Sequence, residues 1–282
     1  LTRLIKTLKE KNLIEFLSNH NVIPKYGFPV DVVELQVLHH IEEARRLQLQ
    51  RDLRIALSEY APDSEVVASG RLWRSRYIKR LPEKEWEKYR YAICDHCHSY
   101  TAERFELVDH LTLCPQCNQK YTSNRGTFII PAFGFVAENE NPGQPGEKKP
   151  ERTYSTRVYF SGKAKEEKPI YLNLNKMEIT ATPATHGRMA IINDAGKRGF
   201  QVCNLCGYSV IIDKNNPPPH PHKTPWGSDC SGILGGRYSL GHEFETDTLK
   251  ITFGDYRDTR PEFWYSLLYA LLEGASAAMN IE

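Results

Sequence analysis

The sequence has 282 residues, and its composition excludes several classes of protein. With 40% hydrophobic and 26% charged residues it is not disordered as a whole. No apolar run is long enough for a transmembrane helix, so we expect no membrane contact. The net charge of +2 means that any nucleic-acid contact must come from a local patch. The first 15 residues lack the pattern of a signal peptide, and we expect a cytoplasmic protein. Because residue 1 is Leu and not Met, we expect a piece of a longer protein.

The first quarter of the sequence predicts helices followed by a hairpin. Apolar residues at helical spacing predict a helix from Leu1 to His20. Two prolines and a glycine between Asn21 and Pro29 end it. A second helical stretch runs from about Val37 to Tyr60. Glu65 to Tyr77 then predicts two short strands joined through Ser69-Gly70.

From about Trp86 onward the pattern is typical of short strands separated by turn residues. Glu138 to Pro150 carries no large apolar residue and predicts a mobile linker or a long loop. Ser161 to Lys168 predicts a hairpin tip. A helix from about Arg260 to Met279 carries an apolar stripe that we expect to face the core. The members of the stripe are Phe263, Trp264, Leu267, Leu268, Leu271, Leu272 and Ala275.

Six of the seven cysteines occur as C-x-x-C pairs, which suit tetrahedral metal binding better than disulfides. They therefore indicate a reducing, intracellular compartment. The strongest signal is a zinc-ribbon-like set of two pairs, formed by Cys94, Cys97, Cys114 and Cys117. Four thiolates close a tetrahedron and leave no position for water, so we expect a structural zinc. Free thiols or an iron–sulfur cluster are the alternatives, and His96 and His98 are expected at the surface.

A second set supplies three thiolates and needs a fourth ligand. Its cysteines are Cys203, Cys206 and Cys230. His222 begins a stretch in which a proline and a glycine can fold the chain back, so that His222 and Cys230 meet one ion. We therefore predict a second structural zinc with His222 as its nitrogen ligand. His220 and His242 are alternative ligands, and three buried cysteines without a metal are the alternative to a zinc site.

Catalytic motifs are absent from the sequence. It contains no H-E-x-x-H, no P-C-x-x-C to accompany a deaminase H-x-E, no phosphate-binding loop and no nucleophile elbow. We therefore expect both metal sites to be structural and not catalytic. An independent zinc hydrolase is disfavoured, because neither set leaves an open position on the ion.

One basic stretch is a candidate interface for nucleic acid, because it holds five cations and no acid in ten residues. On a strand, two aromatic residues would share a face with one arginine, and two further arginines would share the other face. That pattern suits phosphate contact combined with base stacking. The alternative is a solvated edge strand whose charges block pairing. The candidate residues are Arg71, Trp73, Arg74, Arg76, Tyr77, Lys79 and Arg80.

Several strings resemble a known helicase family. The zinc-binding domain of mitomycin-repair-type helicases is similar to Cys203–Gly207, Leu240–Leu249 and Leu267–Ala275 of this chain. In the same family, the region that follows the helicase motor domains is similar to Pro24–Leu35 and Arg51–Pro62. The resemblance covers most of the chain except its loops.

The resemblance implies a large bacterial superfamily 2 DNA helicase that acts in DNA repair, with relatives in anti-phage defence islands. It implies that the zinc domain follows two RecA-like motor domains. These lie outside this sequence, so the ATPase activity is implied only for the parent protein. The family's domain is usually described with four cysteine ligands, whereas His222 is the expected fourth ligand here.

We therefore predict an α+β fold: a β-rich body organised by two structural zinc sites, with helices at the N-terminus and a long C-terminal helix. The expected division is a helical post-motor segment (1–64), a β-rich region with the four-cysteine ribbon (65–137), a flexible linker or loop (138–151) and a helicase-associated zinc-binding domain (152–282). Expected partners are single-stranded DNA, the motor domains of the parent chain and a repair or defence protein. The alternative is a protein-docking module that recruits such a partner without touching nucleic acid.

Overall fold

The structure is a computed structural model that describes residues 31–81, 84–146, 150, 156–161, 165–166, 168–174, 177–254 and 258–279. The helix predicted from Leu1 to His20 lies outside these residues. Within them the protein is β-rich with few helices and a long C-terminal helix, which confirms the predicted fold class.

The elements are as follows. The helices are α1 (Glu42–Arg45), α2 (Leu53–Glu59) and α3 (Pro261–Met279). The strands up to residue 137 are β1 (Val32–Gln36), β2 (Gln50–Asp52), β3 (Glu65–Ala68), β4 (Arg71–Ile78), β5 (Lys88–Ile93), β6 (Tyr100–Arg104), β7 (Arg125–Ile129) and β8 (Phe135–Ala137). The later strands are β9 (Arg157–Phe160), β10 (Lys165–Glu166), β11 (Ile170–Leu174), β12 (Met177–Asn193), β13 (Phe200–Cys203), β14 (Ser209–Ile211), β15 (His222–Lys223), β16 (Asp229–Cys230) and β17 (Leu234–Thr252).

The single helix predicted from Val37 to Tyr60 is wrong, because a strand interrupts it. β2 pairs antiparallel with β1, with Asp52 opposite Val32. That pairing satisfies backbone groups which a continuous helix would have used internally. The side chain of Asp52 then accepts a hydrogen bond from the Arg54 N–H at 2.8 Å, which caps the start of α2.

The first sheet has the strand order β2-β1-β8-β4-β3. β3 and β4 form the predicted hairpin, and Ser69 and Gly70 at its turn adopt φ values of 49° and 69°. β8 pairs antiparallel with β4 and parallel with β1. β4 is therefore an interior strand, which excludes the alternative that it is a solvated edge.

The second sheet contains the longest strands. Its main path is β10-β12-β17-β7-β5-β6, and β9, β11, β13 and β14 pair beside it. β12 has 17 residues and β17 has 19, so the prediction of mostly short strands is wrong at these two elements. The hairpin tip predicted at Ser161–Lys168 is also wrong. Its described residues include β10, which pairs with Thr185 and Ala184 of β12 as an ordinary strand.

The chain divides into two compact units. The first comprises the described residues of Leu1–Gly162 and Arg188–Phe244, and the second those of Lys163–Gly187 and Glu245–Glu282. The main core of the first unit contains fully buried side chains, among them Leu35, Leu57, Phe135 and Phe200. Because the units join segments that are distant in sequence, the four-part division stays a prediction.

The linker predicted from Glu138 to Pro150 is held in place at its beginning. The N–H of Glu138 donates to the carbonyl of Arg74 at 2.9 Å. Gly143 and Leu72 exchange two backbone hydrogen bonds at 2.8 and 3.1 Å. This part of the segment is therefore a loop held against β4, which agrees with the loop and not with the linker of the two predicted alternatives.

α3 lies where the sequence predicted it, but among the described residues most of its apolar stripe is exposed, and only Phe263 and Leu267 are half-buried. Trp264, Leu268, Leu271 and Leu272 are exposed, as are Tyr265 and Tyr269. The apolar side chains surround most of the helix, so they present more surface than one packing face can cover. None of the described helices combines the length and the apolar character needed to cross a membrane.

Candidate metal centres

The first predicted ligand set comes together at the turn of the β5–β6 hairpin. Its members are Cys94, Cys97, Cys114 and Cys117, and their sulfurs all lie within 4.8 Å of one another. The Cys94 and Cys117 sulfurs are 3.5 Å apart, and those of Cys97 and Cys114 are 3.6 Å apart. Sulfurs bonded to one tetrahedral zinc at about 2.3 Å lie about 3.8 Å from each other. A disulfide needs about 2.05 Å, so the spacing matches a shared ion and not a covalent bridge.

All three C-x-x-C pairs fold into the same turn. The residue directly after each pair donates its N–H to the carbonyl of the first cysteine at 2.9 Å. That residue has a positive φ in every case, at 58°, 54° and 81°. The three residues are His98, Asn118 and Gly207. Asn, His and Gly are the residue types that tolerate this left-handed backbone best. Each C-x-x-C turn, called a knuckle below, is therefore determined by its local sequence.

The first centre lies near the protein surface. Cys94 and Cys114 are buried, whereas Cys97 is exposed. The Ser99 hydroxyl lies 3.1 Å from the sulfurs of both Cys97 and Cys114. Beside them, the Asp95 carboxylate accepts hydrogen bonds from the side chains of Thr122 and Asn124. His96 and His98 are exposed, as the sequence predicted.

The second predicted ligand set also comes together. Its members are Cys203, Cys206, His222 and Cys230, with all ligand atoms within 4.8 Å of one another. The Cys203 and Cys230 sulfurs are 3.9 Å apart, and the Cys206 sulfur is 3.2 Å from Nε2 of His222. The β15–β16 hairpin places His222 directly opposite Cys230. His220 is exposed, and His242 instead contacts Asp31 at 3.1 Å. The structure thus groups the histidine that the sequence favoured.

The surroundings of the second centre act on its ligands in opposite directions. Burial raises the pKa of the Cys206 thiol, whereas local hydrogen bonds favour the thiolates. Backbone N–H groups donate to its three cysteine sulfurs at 3.4 Å, which stabilises thiolates. The donors are Leu205, Tyr208 and Gly232. Burial lowers the pKa of the His222 imidazole, which keeps the ring neutral as a ligand must be. Gly232 also permits the close packing, because a Cβ there would lie 2.5 Å from the Cys203 sulfur.

The donor sets fit zinc. Four thiolates, or three thiolates with one imidazole, are the usual ligands of structural zinc sites. Each cluster supplies four protein ligands from short turns, so neither provides the open position that a catalytic zinc needs. Both clusters could therefore hold a zinc ion as a closed centre. Tyr208 and Gly232, which lie beside the second centre, were not predicted from the sequence, although Gly207 directly after Cys206 indicated a tight turn there.

The aromatic residues of the basic stretch are buried. Trp73 is 2% exposed and Tyr77 is 3% exposed. The indole N–H of Trp73 donates to the Ala68 carbonyl at 3.1 Å, and the Tyr77 hydroxyl donates to the Lys223 carbonyl at 3.1 Å. Both side chains therefore pack inside the protein. The predicted role of Trp73 and Tyr77 as base-stacking groups is therefore wrong.

The arginines of the stretch have carboxylate partners. Arg71 contacts Glu43 at 3.3 Å, and Arg74 contacts Glu65 at 2.9 Å. Arg76 is only 12% exposed and contacts Asp63 and, at 3.2 Å, Glu138. Lys79 and Arg80 follow the end of β4 and are partly exposed. The acids come from other segments of the chain, which explains why the stretch looked unpaired in the sequence.

Comparison with known proteins gives a distant relative. The chain is similar to Druantia protein DruE of Escherichia coli (strain UMEA 4076-1). The two are 26% identical over 280 residues, which cover 87% of this chain. The chain spans only 15% of the length of DruE. No protein-family model and no solved structure matches the chain.

Proposed function

We propose that this protein is the C-terminal zinc-binding accessory region of a bacterial, cytoplasmic, ATP-dependent DNA helicase in phage defence or DNA repair. The observation that carries the proposal is a pair of closed four-ligand clusters in a chain that matches DruE over 87% of its length. The similarity to DruE is consistent with phage defence, which is one of the two roles that the helicase resemblance implies. The motor domains of the parent protein would be the first partner of this region.

In this role the zinc ions are structural. Bound zinc forms four bonds to the protein and so fixes the loops that carry its ligands. These loops have too few apolar side chains to be held in place by packing alone. The first cluster joins the β5–β6 turn to the segment around Cys114. The second joins the β13–β14 turn to the β15–β16 hairpin. The result is a rigid scaffold beside the motor.

We also propose that the region contacts single-stranded DNA as it leaves the motor. Within the basic stretch, Lys79 and Arg80 remain the candidates for contact with DNA. These two are partly exposed beyond the end of β4, whereas the arginines of the strand have carboxylate partners. Contact through phosphates alone would be independent of base sequence.

The alternative function is a protein-docking module without nucleic-acid contact. The burial of Trp73 and Tyr77 favours it, because it removes the two stacking groups of the basic stretch. The exposed apolar side chains of α3 favour it as well.

The DNA proposal is tested by fluorescence anisotropy with a labelled single-stranded oligonucleotide across a range of salt concentrations. Each neutralised phosphate contributes about 0.7 to the log–log salt slope, so replacing Lys79 and Arg80 with Ala should flatten the slope by about 1.4. The matched control replaces Arg45 and Arg46, two exposed cations at α1, and should leave the slope unchanged. An oligonucleotide that stays unbound at every salt concentration would refute DNA contact and favour the docking module.

The helicase proposal is tested by the coding sequence upstream of Leu1. A phosphate-binding loop and a helicase Asp-Glu box encoded there would support a parent motor. An upstream sequence that encodes neither motif would contradict it.

A further inference from the structure

The imidazole of His222 lacks the support that metal-binding histidines usually have. Such a ring is normally oriented by its second nitrogen, which donates to a carboxylate or a carbonyl. His222 is 1% exposed and presents Nε2 to the Cys206 sulfur. Its Nδ1 is buried without a hydrogen-bond partner among the described residues. The orientation of the ring must therefore come from packing.

The ring that packs on His222 belongs to Tyr208. The two ring centroids are 4.6 Å apart and the planes are inclined by 30°. Tyr208 is itself fixed to the same knuckle. Its N–H donates to the Cys206 sulfur at 3.4 Å, and its carbonyl accepts from the Cys203 N–H at 2.8 Å. One residue thus connects the imidazole to the sulfur of Cys206 and to the backbone of Cys203.

Arg76 and Tyr77 of β4 hold Tyr208 in place. The guanidinium carbon of Arg76 lies 5.6 Å from the Tyr208 ring centroid, and the Tyr77 ring meets it edge-on at 5.6 Å. Arg76 is restrained by its contacts with Asp63 and Glu138. Asp63 in turn accepts from the N–H of Ile211 in β14 at 3.4 Å.

We propose that Tyr208, held by Arg76, is a positioning residue for the His222 ligand and slows the release of metal from the second centre. The inference rests on the zinc role proposed above. It assigns the most buried arginine of the basic stretch to the metal centre and not to DNA. The first centre has an exposed ligand, Cys97, and no histidine, so it does not depend on such a stack.

The test measures the rate at which zinc passes from the folded protein to an excess of the chromogenic chelator 4-(2-pyridylazo)resorcinol. We expect two phases, one for each centre, and the phase that Cys114→Ser removes belongs to the first. Outer partners of metal ligands typically contribute about 10–100-fold to metal affinity. Tyr208→Leu should therefore accelerate only the second-centre phase, by about tenfold.

Two further variants separate positioning from a general loss of stability. Tyr208→Phe keeps the stacked ring and should release zinc at the parent rate. Arg76→Gln should accelerate the second phase, whereas Arg74→Gln should not. Arg74 is a matched control because it lies on the same strand and also contacts Glu138, at 3.9 Å. In a Cys114→Ser background loaded with Co²⁺, Tyr208→Leu should also change the visible absorption of the second centre.

The outcomes are distinguishable. A folded Tyr208→Leu variant that releases zinc at the parent rate would overturn the inference while leaving the zinc centre intact. If that variant does not fold, Arg76→Gln decides: parent kinetics and an unchanged Co²⁺ spectrum overturn the inference. A parent protein that carries no zinc at the second centre would overturn the proposed zinc role itself.

Discussion

Substituting Gly207 with alanine tests how tightly β4 is joined to the second metal centre. Gly207 has a φ of 81°, and its carbonyl accepts from the Ile78 N–H at 2.9 Å. A Cβ at this position would lie 2.2 Å from the Ile78 carbonyl oxygen. The left-handed backbone costs alanine about 1–2 kcal/mol, and loss of the hydrogen bond costs about 1 kcal/mol. Because Ile78 lies on an interior strand that cannot easily move, we expect the free energy of unfolding to fall by about 3 kcal/mol or more.

The assay is urea unfolding of the zinc-loaded protein, followed by the fluorescence of its buried tryptophans. Gly70→Ala is the matched control, because Gly70 has a φ of 69° but no atom within 4 Å of its would-be Cβ. It should show the backbone cost alone, about 1–2 kcal/mol. A loss for Gly207→Ala no larger than that for Gly70→Ala would refute the close contact between β4 and the knuckle.

The two further predictions concern the core and the unequal roles of the centres. Trp73→Ala should lower the free energy of unfolding by about 3–5 kcal/mol, whereas Trp226→Ala, at a side chain 76% exposed, should change it by less than about 0.5 kcal/mol. Equal urea midpoints for these two variants would contradict the burial of Trp73. Cys114→Ser should make only the ribbon sensitive to limited proteolysis, because few buried residues pack on that cluster. Cys203→Ser should make β4 sensitive to the protease as well. Identical cleavage maps for the two variants would contradict this difference between the two centres.

The metal clusters were predictable because their geometry is local. Each C-x-x-C pair determines its own turn, and the residue after it tolerates the left-handed backbone that the turn requires. His222 was predictable because a short segment with a proline and a glycine leads directly from it to Cys230. Neither prediction required knowledge of the rest of the fold.

The predicted base-stacking role of Trp73 and Tyr77 was wrong because the environment of β4 is determined by distant segments of the chain. β4 becomes an interior strand only through β8, and Arg76 finds Glu138 62 positions along the chain. A pattern of alternating cations and aromatics does not reveal which residues lie on either side of the strand. The same limit applies to the stripe of α3, since periodicity identifies an apolar face but not the element that covers it.

Metal analysis of the purified protein by mass spectrometry tests the central claim most directly. We expect two zinc ions per chain, and one in each of the variants Cys114→Ser and His222→Ala. X-ray absorption of the parent should show zinc–sulfur distances near about 2.3 Å and a nitrogen ligand near about 2.0–2.1 Å. A parent chain without zinc, iron in place of zinc, or two zinc ions retained in Cys114→Ser would contradict the account.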